Sequence, residues 1–401
     1  MNQEPTSVLI IVENLPVPFD RRVWQEARAL SEASYRVSVI CPRGSGFEAS
    51  RETRDGIEIY RHRTWEASGP LGYLLEYGWA LLMEFALAVR VYARTRFRIL
   101  HACNPPDTIF LIGLFFKLFG VRFIFDHHDL SPELFEAKFN RKGLFYQLVC
   151  WAEWLTFRTA DVSIATNESY RDIAVTRGGM NAERVFIVRS CPDIRNTGQR
   201  PPKPGLKEDR SLLVVYLGVM GVQEGLDLLL ESIEYIVKKQ NRRDAFFVFI
   251  GAGTELPRLR AVAAEKGLAS ITKFTGRIHD DELTDYLCTA DVCVAPDPYN
   301  PLNDKSTMNK ILEYMAYGRP IVLYDLSEGR RSARDAALYA RPNDPKDFAE
   351  KIIKLLDSEA LRRQLGNRGR KRIEEVLNWG MESKMFLQAY SASLKHDGGG
   401  S

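Results

Sequence analysis

Residues 303–325, NDKSTMNKILEYMAYGRPIVLYD, predict a loop, a helix, a tight turn and a buried strand. Ser306 or Thr307 can cap the start of the helix with a side-chain oxygen. Gly318 is expected to end the helix, and Pro320 opens a strand whose first amide is not needed. Apolar residues recur at helical spacing and predict one buried face, formed by Ile311, Leu312, Met315 and Ala316. This helix-turn-strand unit indicates an α/β protein.

Two charged side chains of this helix are candidates for ligand binding. Lys310 and Glu313 are three residues apart, so they lie on one side of the first helical turns. A carboxylate there can accept hydrogen bonds from two ribose hydroxyl groups, and an ammonium one turn earlier can face a diphosphate. The alternative is an ordinary amphipathic helix with two solvated charges.

The α/β pattern occurs twice, in two halves of the chain. Apolar strands are predicted at 8–12, 36–41, 98–103 and 121–125 in the first half and restart at 212–217. Residues 196–210 lie between the halves and predict a surface linker, because they are rich in proline, glycine and charge. We expect domains at 1–195 and 211–377, with a helix at 378–396 that packs back on the first domain.

Composition excludes several functional classes. The 401 residues are 45% hydrophobic and 27% charged, as in a globular protein of two domains. A balance of 55 basic and 52 acidic residues argues against a nucleic-acid partner. The six cysteines form no Cys-x-x-Cys pair, and the apolar start lacks the basic region of a signal peptide. We therefore expect reduced thiols and a cytoplasmic location.

The segment 303–325 resembles the donor-site helix of the family 4 retaining glycosyltransferases, which have the GT-B fold. Their pattern has two glutamates eight positions apart, then Met-Ala, Gly and Pro-Val or Pro-Ile. The residues that match are Glu313, Met315, Ala316, Gly318, Pro320 and Ile321. At the position of the first glutamate stands Lys305, preceded by Asp304. The chain thus resembles the subgroup that lacks the first glutamate and carries a lysine three before the second, as Lys310 is here.

The resemblance implies two Rossmann-like domains facing a central cleft, with the nucleotide sugar on the second domain and the acceptor on the first. The glycine-containing turns after two strands let backbone amides approach a diphosphate. The residues expected to bind the donor are Gly218, Gly221, Gln223, Gly251, Gly253, Arg277, Lys305, Thr307, Glu328 and Arg330. The family usually has an arginine after the first glycine and a lysine before the last, where this chain has Val219 and Glu224.

The first domain offers polar residues at predicted strand ends. Asp20 is expected to cap a helix whose first residues, Arg21 and Arg22, can aim at a phosphate; a solvated pair beside Glu26 is the alternative. Asn104 stands in a strand-to-helix turn and, with Arg21, Arg22 and Asp129, is expected on the acceptor or phosphate side. A histidine at the end of the 121–125 strand contacts the donor sugar in the resembled family. His128, followed by Asp129, fits this position, although a hydrogen bond to a nearby backbone group would also explain it.

We expect His128, Lys310 and Glu313 to be catalytic and the leaving diphosphate to be stabilised by cations and amides without a metal. Retention of configuration follows from the resemblance alone. The donor is expected to be a UDP- or GDP-linked sugar, no cofactor is expected, and the acceptor is expected to be a lipid-linked or cell-surface polysaccharide intermediate. A sugar-nucleotide epimerase and a non-catalytic nucleotide-sugar-binding partner subunit are the alternatives.

Two apolar helices bear on location. Residues 71–92 and 140–159 each predict a helix that is either buried in the core or laid on a membrane surface. Charged residues within 71–92 argue against a membrane-spanning helix. The membrane-surface alternative would place the protein at the inner face of the cytoplasmic membrane as a peripheral protein.

Overall fold

The computed structural model describes residues 5–63, 69–139 and 142–395. The chain divides into two α/β units, one formed by Met1–Ser190 with Glu382–Ser401 and the other by Cys191–Met381. Each unit is built around its own sheet.

The first unit contains an eight-stranded sheet with the order β3-β4-β2-β1-β5-β6-β7-β8. Its strands are β1 Ser7–Ile11, β2 Arg36–Pro42, β3 Arg51–Arg54, β4 Ile57–His62, β5 Ile99–Cys103, β6 Arg122–His127, β7 Val162–Ala165 and β8 Val185–Ile187. All neighbours are parallel except β3, which runs antiparallel to β4. Every residue of β1 is buried, as expected for a parallel strand covered on both faces.

Helices cover this sheet. They are α1 Arg21–Glu32, α2 Gly69–Thr95, α3 Phe110–Lys117, α4 Ser131–Phe139, α5 Leu144–Thr159 and α6 Glu168–Thr176. Asp20 accepts a hydrogen bond from the amide of Val23, so α1 is capped as predicted. Residues 140 and 141, which were included in the predicted helix 140–159, lie outside the described residues.

The second unit contains a six-stranded, fully parallel sheet with the order β11-β10-β9-β12-β13-β14. Its strands are β9 Leu212–Leu217, β10 Ala245–Ile250, β11 Thr272–Gly276, β12 Val292–Ala295, β13 Ile321–Tyr324 and β14 Ala337–Ala340. Its helices, followed by the last helix of the chain, are α7 Leu226–Glu234, α8 Leu256–Glu265, α9 Asp280–Thr289, α10 Pro301–Lys305, α11 Asn309–Ala316, α12 Ser327–Ala333, α13 Pro345–Leu356, α14 Glu359–Glu375 and α15 Trp379–Leu394.

The start of the central helix differs from the prediction. Residues 303–305 are not a loop but belong to α10, whose first amides are capped by the side chain of Asn300. Ser306 follows α10 as its C-cap, and α11 begins at Asn309 without a side-chain cap. The far end is as predicted, because Gly318 has a φ of +65° and ends the helix before β13.

The segment 196–210 is exposed, but it is not a free linker. The ammonium groups of Lys203 and Lys207 lie 2.6 Å from carboxylate oxygens of Asp285 and Asp291 respectively. These ion pairs hold the segment along α9 and the start of β12, within the second unit.

All six cysteines are free thiols, in agreement with the expectation of reduced cysteines. Five are buried, and Cys150 on α5 is half-buried. Burial raises the pKa of Cys41 to about 11, so this thiol is protonated near neutral pH. Across the described residues, we find no helix that combines the length and apolar character needed to cross a bilayer.

Candidate functional site

In the second unit, Lys310 lies in an ion-pair cluster at the carboxyl end of the sheet. Its ammonium nitrogen is 2.8 Å from Asp297 Oδ1, 2.9 Å from Glu224 Oε2 and 4.9 Å from the ring centroid of Tyr216. Burial lowers the pKa of Lys310, but Asp297 and then Glu224 outweigh it and raise that pKa above its usual value. Lys310 is therefore charged, and both of its closest charged partners are carboxylates.

Glu224 occupies the position where the resembled family has a lysine. It stands in the turn between β9 and α7 and pairs with Lys310 at short range. Sequence reasoning identified Glu224 as a departure but did not connect it to Lys310, and it missed Asp297 altogether. The signal for Asp297 was its place just after β12, at the sheet edge that β9 also reaches.

The glycines of the two strand-end turns serve mainly to bring those turns together. A Cβ at Gly251 would lie 1.8 Å from the carbonyl oxygen of Gly218, and a Cβ at Gly253 would lie 2.3 Å from that of Met220. The loop after β9 therefore packs directly against the loop after β10. This packing accounts for glycine at both positions, and donor binding by Gly251 and Gly253 stays a prediction.

The tip of the loop after β9 keeps features of an anion site. Among the described residues, the amides of Val219 and Gly221 make no backbone hydrogen bond. The side chain of Gln223 is exposed next to Gly221. The backbone carbonyl of Gln223 accepts a hydrogen bond of 3.2 Å from the side chain of Asn303. Two available amides on a fixed turn can donate hydrogen bonds to phosphate oxygens.

The remaining donor candidates on α10, on α11 and in the turn between them differ in environment from Lys310. Glu313, Lys305 and Thr307 are half-buried. Asp304, the carboxylate nearest to the missing glutamate, instead accepts hydrogen bonds of 2.8 and 3.0 Å from the amide and hydroxyl of Ser327. Asp304 therefore anchors the start of α12 rather than replacing that glutamate.

Two of the other donor candidates, Glu328 and Arg330, form ion pairs with neighbouring side chains. Glu328 is buried and lies 2.5 Å from Arg331. Arg330 lies 2.5 Å from Asp325, and its guanidinium carbon is 4.1 Å from the ring centroid of Tyr339. Arg277 is exposed just beyond β11. Glu328 is therefore the most buried of these charged candidates, since Arg277, Arg330 and Arg331 are exposed.

In the first unit, Arg22 does not point outward as expected. It is buried, and its guanidinium lies 2.9 Å from Asp126, 3.1 Å from Glu26 and 2.9 Å from the carbonyl oxygen of Val188. Its side chain therefore organises the strand ends of the unit instead of meeting a phosphate. Arg21, one residue earlier, is exposed at the start of α1.

Asp126 is the residue that orients His128. Nε2 of His128 lies 2.6 Å from Asp126 Oδ2, and the imidazole side chain is 14% exposed. Burial raises the pKa of Asp126, but Arg22 and His128 outweigh it and hold that pKa well below its usual value. Arg22 Nε also lies 3.0 Å from the same Nε2, so the ionised Asp126 and the guanidinium together hold this edge of the ring and leave Nδ1 for a ligand.

A buried layer of titratable groups supports this pair. Burial and the charge of Asp126 raise the pKa of Glu26 well above its usual value, so Glu26 holds a proton. His101 Nε2 is 3.4 Å from Asp126, and His101 Nδ1 is 2.7 Å from the hydroxyl of Tyr390 on α15. Burial lowers the pKa of His101, which keeps this ring neutral. Sequence reasoning missed Asp126, His101 and Tyr390.

Asn104 has a positioning role, contrary to the expectation that it faces an acceptor. It is buried, and its Oδ1 accepts hydrogen bonds of 2.7 and 3.1 Å from the amides of His128 and Asp129. Its Nδ2 donates to the carbonyl of Asp129 and to Asp107. Asn104 therefore fixes the turn that carries His128 and Asp129. The neighbouring His127 is buried against Phe125, Phe157 and Tyr170 on the other side of the strand, because successive strand residues face opposite sides.

Both halves of the chain match models of known families. Residues 20–190 match the glycosyl transferase 4-like domain, and residues 211–358 match the glycosyl transferases group 1. The mannosylfructose-phosphate synthase of Agrobacterium fabrum is 23% identical over 62% of this chain and 56% of its own length. An MMP alpha-(1->4)-mannosyltransferase of Mycolicibacterium hassiacum is 28% identical over 67% of this chain and 64% of its own length. The chain therefore spans between about half and two thirds of these curated relatives.

Solved structures share the architecture over nearly the whole chain. Sucrose-phosphate synthase from Thermosynechococcus elongatus superposes with a TM-score of 0.76 at 17% identity, covering 96% of this chain and 98% of that one. Anabaena HepE, solved in complex with UDP and glucose, superposes with a TM-score of 0.71 at 15% identity, covering 96% and 99%. At these identities the likeness establishes the fold.

Proposed function

We propose that this chain, a glycosyltransferase of the GT-B fold, transfers a sugar from a nucleoside-diphosphate sugar to an acceptor. The observation that carries this proposal is the cluster of Lys310 with the loop after β9, at the carboxyl end of the parallel sheet of the second unit. Ligands of open α/β sheets bind at this edge. We assign the donor to the second unit and the acceptor to the first.

The diphosphate is proposed to bind the amides of Val219 and Gly221, with Lys310 nearby as a buried cation. Glu313, one turn further along α11, would accept hydrogen bonds from the ribose hydroxyl groups. Positive side chains and amides would stabilise the charge that develops on the leaving diphosphate, without a metal at this site. Retention of configuration remains an expectation from the resembled family.

In the first unit, His128 is proposed to hold the sugar through Nδ1. Asp126 and Arg22 fix the ring through Nε2, and Asn104 fixes the turn. Nδ1 can then accept a hydrogen bond from a sugar hydroxyl group or donate one to it, according to which ring nitrogen carries the proton. No residue is assigned as a covalent nucleophile.

Nucleotide binding is the direct test of the donor assignment. UDP or a UDP-sugar at 100 times its dissociation constant should raise the free energy of unfolding by about 2.7 kcal/mol, seen as a higher melting temperature. UDP is the first ligand to test because Anabaena HepE was solved with it, and GDP is the comparison. In calorimetry, Glu313→Ala should weaken binding on the order of tenfold to a hundredfold through loss of hydrogen bonds to a charged group. The exposed Glu359→Ala is the control, and equal affinity in both variants would remove Glu313 from the donor site.

One observation favours a second candidate function. The two carboxylates of Asp297 and Glu224 more than neutralise Lys310, and two cations of the resembled pattern are replaced by Val219 and Glu224. A weaker phosphate site would suit a nucleotide-sugar-binding partner subunit of another transferase. Nucleotide-sugar binding without turnover across an acceptor panel, together with turnover once a second transferase is added, would favour the partner subunit.

The acceptor is proposed to be a lipid-linked or cell-surface polysaccharide intermediate, met at the cytoplasmic face of the membrane. Helix α5 supports this, because large apolar side chains are exposed along it: Leu144 70%, Phe145 48%, Leu148 50%, Trp151 60% and Trp154 40%. Exposed apolar residues also occur on α2 and on the adjacent α3, including Leu82 at 62% and Leu114 at 46%. Helix α2 is therefore half-exposed rather than the buried helix that the sequence favoured.

Vesicle cosedimentation tests the membrane contact. We expect the chain to sediment with anionic phospholipid vesicles, and we expect the double variant Leu144→Glu/Trp151→Glu to remain in the supernatant because it places charge in the apolar surface. Leu15→Glu, an exposed leucine before α1, is the matched control. Equal sedimentation of the double variant and the control would argue for a soluble acceptor.

A further inference from the structure

Three buried side chains of the first unit converge outside the network of Arg22. Glu13 follows β1, His62 ends β4 and Glu84 lies on α2. Nε2 of His62 is 3.6 Å from Glu13 Oε2 and 3.9 Å from Glu84 Oε1. One atom from each residue lies within 4.8 Å of the other two.

These atoms lack the partners that buried polar groups require. The side chains of Glu13, His62 and Glu84 are 8%, 1% and 0% exposed. Within the described part of the chain, no hydrogen-bond partner reaches Glu13 Oε2, His62 Nε2 or either carboxylate oxygen of Glu84. Buried carboxylates without a cation or a donor are strongly unfavourable, so this arrangement calls for a ligand.

The imidazole is oriented so that it adds a third acceptor. Nδ1 of His62 lies 3.4 Å from the carbonyl oxygen of Arg63. When Nδ1 carries the proton and donates it there, Nε2 directs its lone pair at the two carboxylates. A backbone carbonyl on the far nitrogen is the usual support of a histidine that binds a metal.

We propose that Glu13, His62 and Glu84 bind a divalent transition-metal ion, with Zn²⁺ as the best match. Imidazole nitrogen and carboxylate oxygen are both ligand types of zinc, and three such ligands leave one position for water. Bonds of about 2.0–2.2 Å at tetrahedral angles place ligand atoms roughly 3.3–3.6 Å apart, close to the two distances observed here. The ion would fasten α2 to the ends of β1 and β4.

Two other groups of candidate ligands are less suitable. The sets His101, Cys103, Asp126 and Glu26, Asp126, His128 both include Asp126. The guanidinium of Arg22 already neutralises Asp126 at 2.9 Å, which disfavours a second cation there. No ion pair to lysine or arginine is found for Glu13 or Glu84 among the described residues.

Bound protons are the alternative to a metal. Burial and the nearby Glu76 raise the pKa of Glu13 to about 7, although the proximity of the Glu84 carboxyl group lowers it. Burial, with Glu13 next to it, raises the pKa of Glu84 well above its usual value. The two carboxyl groups could therefore share a proton, and metal content separates the two states.

The test is zinc retention by the full chain, produced without a histidine tag, loaded with Zn²⁺ and passed through gel filtration. We expect about one zinc ion per chain, and a melting temperature that rises on the order of 5 °C with excess Zn²⁺. His62→Ala and Glu13→Gln should lose both effects. His279→Ala, an exposed histidine before α9, should keep both and controls for adventitious binding.

If His62→Ala fails to fold, the nearly isosteric Glu13→Gln keeps the test decisive. Two results would overturn the proposal. One is a wild-type chain that carries no zinc after loading and gel filtration, and the other is a folded Glu13→Gln or His62→Ala variant that retains as much zinc as the wild type. Neither readout involves sugar transfer, so its failure is distinct from failure of the transferase assignment.

Discussion

Replacing His128 with alanine is expected to lower turnover by about 100-fold to 1,000-fold, with nucleotide-sugar affinity close to that of the wild type. The imidazole is held by Asp126 at 2.6 Å and is only 14% exposed, so its ligand-facing nitrogen has a fixed direction. Positioned hydrogen bonds of this kind contribute most where charge develops during the reaction. Steady-state kinetics with saturating donor, together with calorimetry for the affinity, measures the two quantities separately.

His279→Ala is the control for this substitution, because that histidine is exposed in the other unit. Circular dichroism should show that both variants are folded. Wild-type turnover in folded His128→Ala would mean that the histidine has a structural role only.

Replacing Lys310 with alanine is expected to lower the free energy of unfolding of the second unit by about 3–5 kcal/mol. The substitution leaves the carboxylates of Asp297 and Glu224 close together without their shared cation. Donor affinity should fall as well, because two negative charges would then lie beside the proposed diphosphate site. Chemical denaturation measures the first effect, and calorimetry with UDP measures the second.

A triple variant separates the two roles of this lysine. Lys310→Met combined with Asp297→Asn and Glu224→Gln removes all three charges at similar volume, so stability should largely return. Donor affinity should stay low, since the cation is still absent. Wild-type affinity in the stable triple variant would show that Lys310 supports the fold without contributing to the donor site.

Much of the fold could be predicted because the strands are short apolar runs. The first strand of each unit was recognised in this way, since parallel strands covered on both faces contain almost no polar residues. The hairpin of β3 and β4 was missed, although Asp55 and Gly56 at its turn both have positive φ and are a known hairpin signal. Its strands are polar on the exposed side, so they did not stand out as apolar runs.

The candidate site was predicted less completely than the fold. Lys310 was found from its spacing to Glu313, and His128 from its place at a strand end and the family resemblance, but the carboxylates that pair with them were not identified. Asp126 could have been inferred, because residues two apart in a strand share a face. Asp297 lies 13 positions from Lys310 and Glu224 lies 86 away, so only the sheet order brings these side chains together.

Buried polar groups were the least predictable feature. Arg22 and Asn104 were expected to face ligands, because polar residues at strand ends and helix starts commonly do so. Whether such a residue faces inward depends on partners such as Asp126, which lies 104 positions from Arg22. The same reasoning applies to Glu13, His62 and Glu84, whose sequence spacing does not resemble a metal motif.

The burial of the thiols has a practical consequence for spectroscopy. Maleimide reagents require an accessible thiolate, and five of the six native cysteines are buried. Replacing the half-buried Cys150 with serine would leave a chain with little background reactivity. Single cysteines could then be introduced at exposed positions of either unit to attach fluorophores or spin labels, without first rebuilding the core.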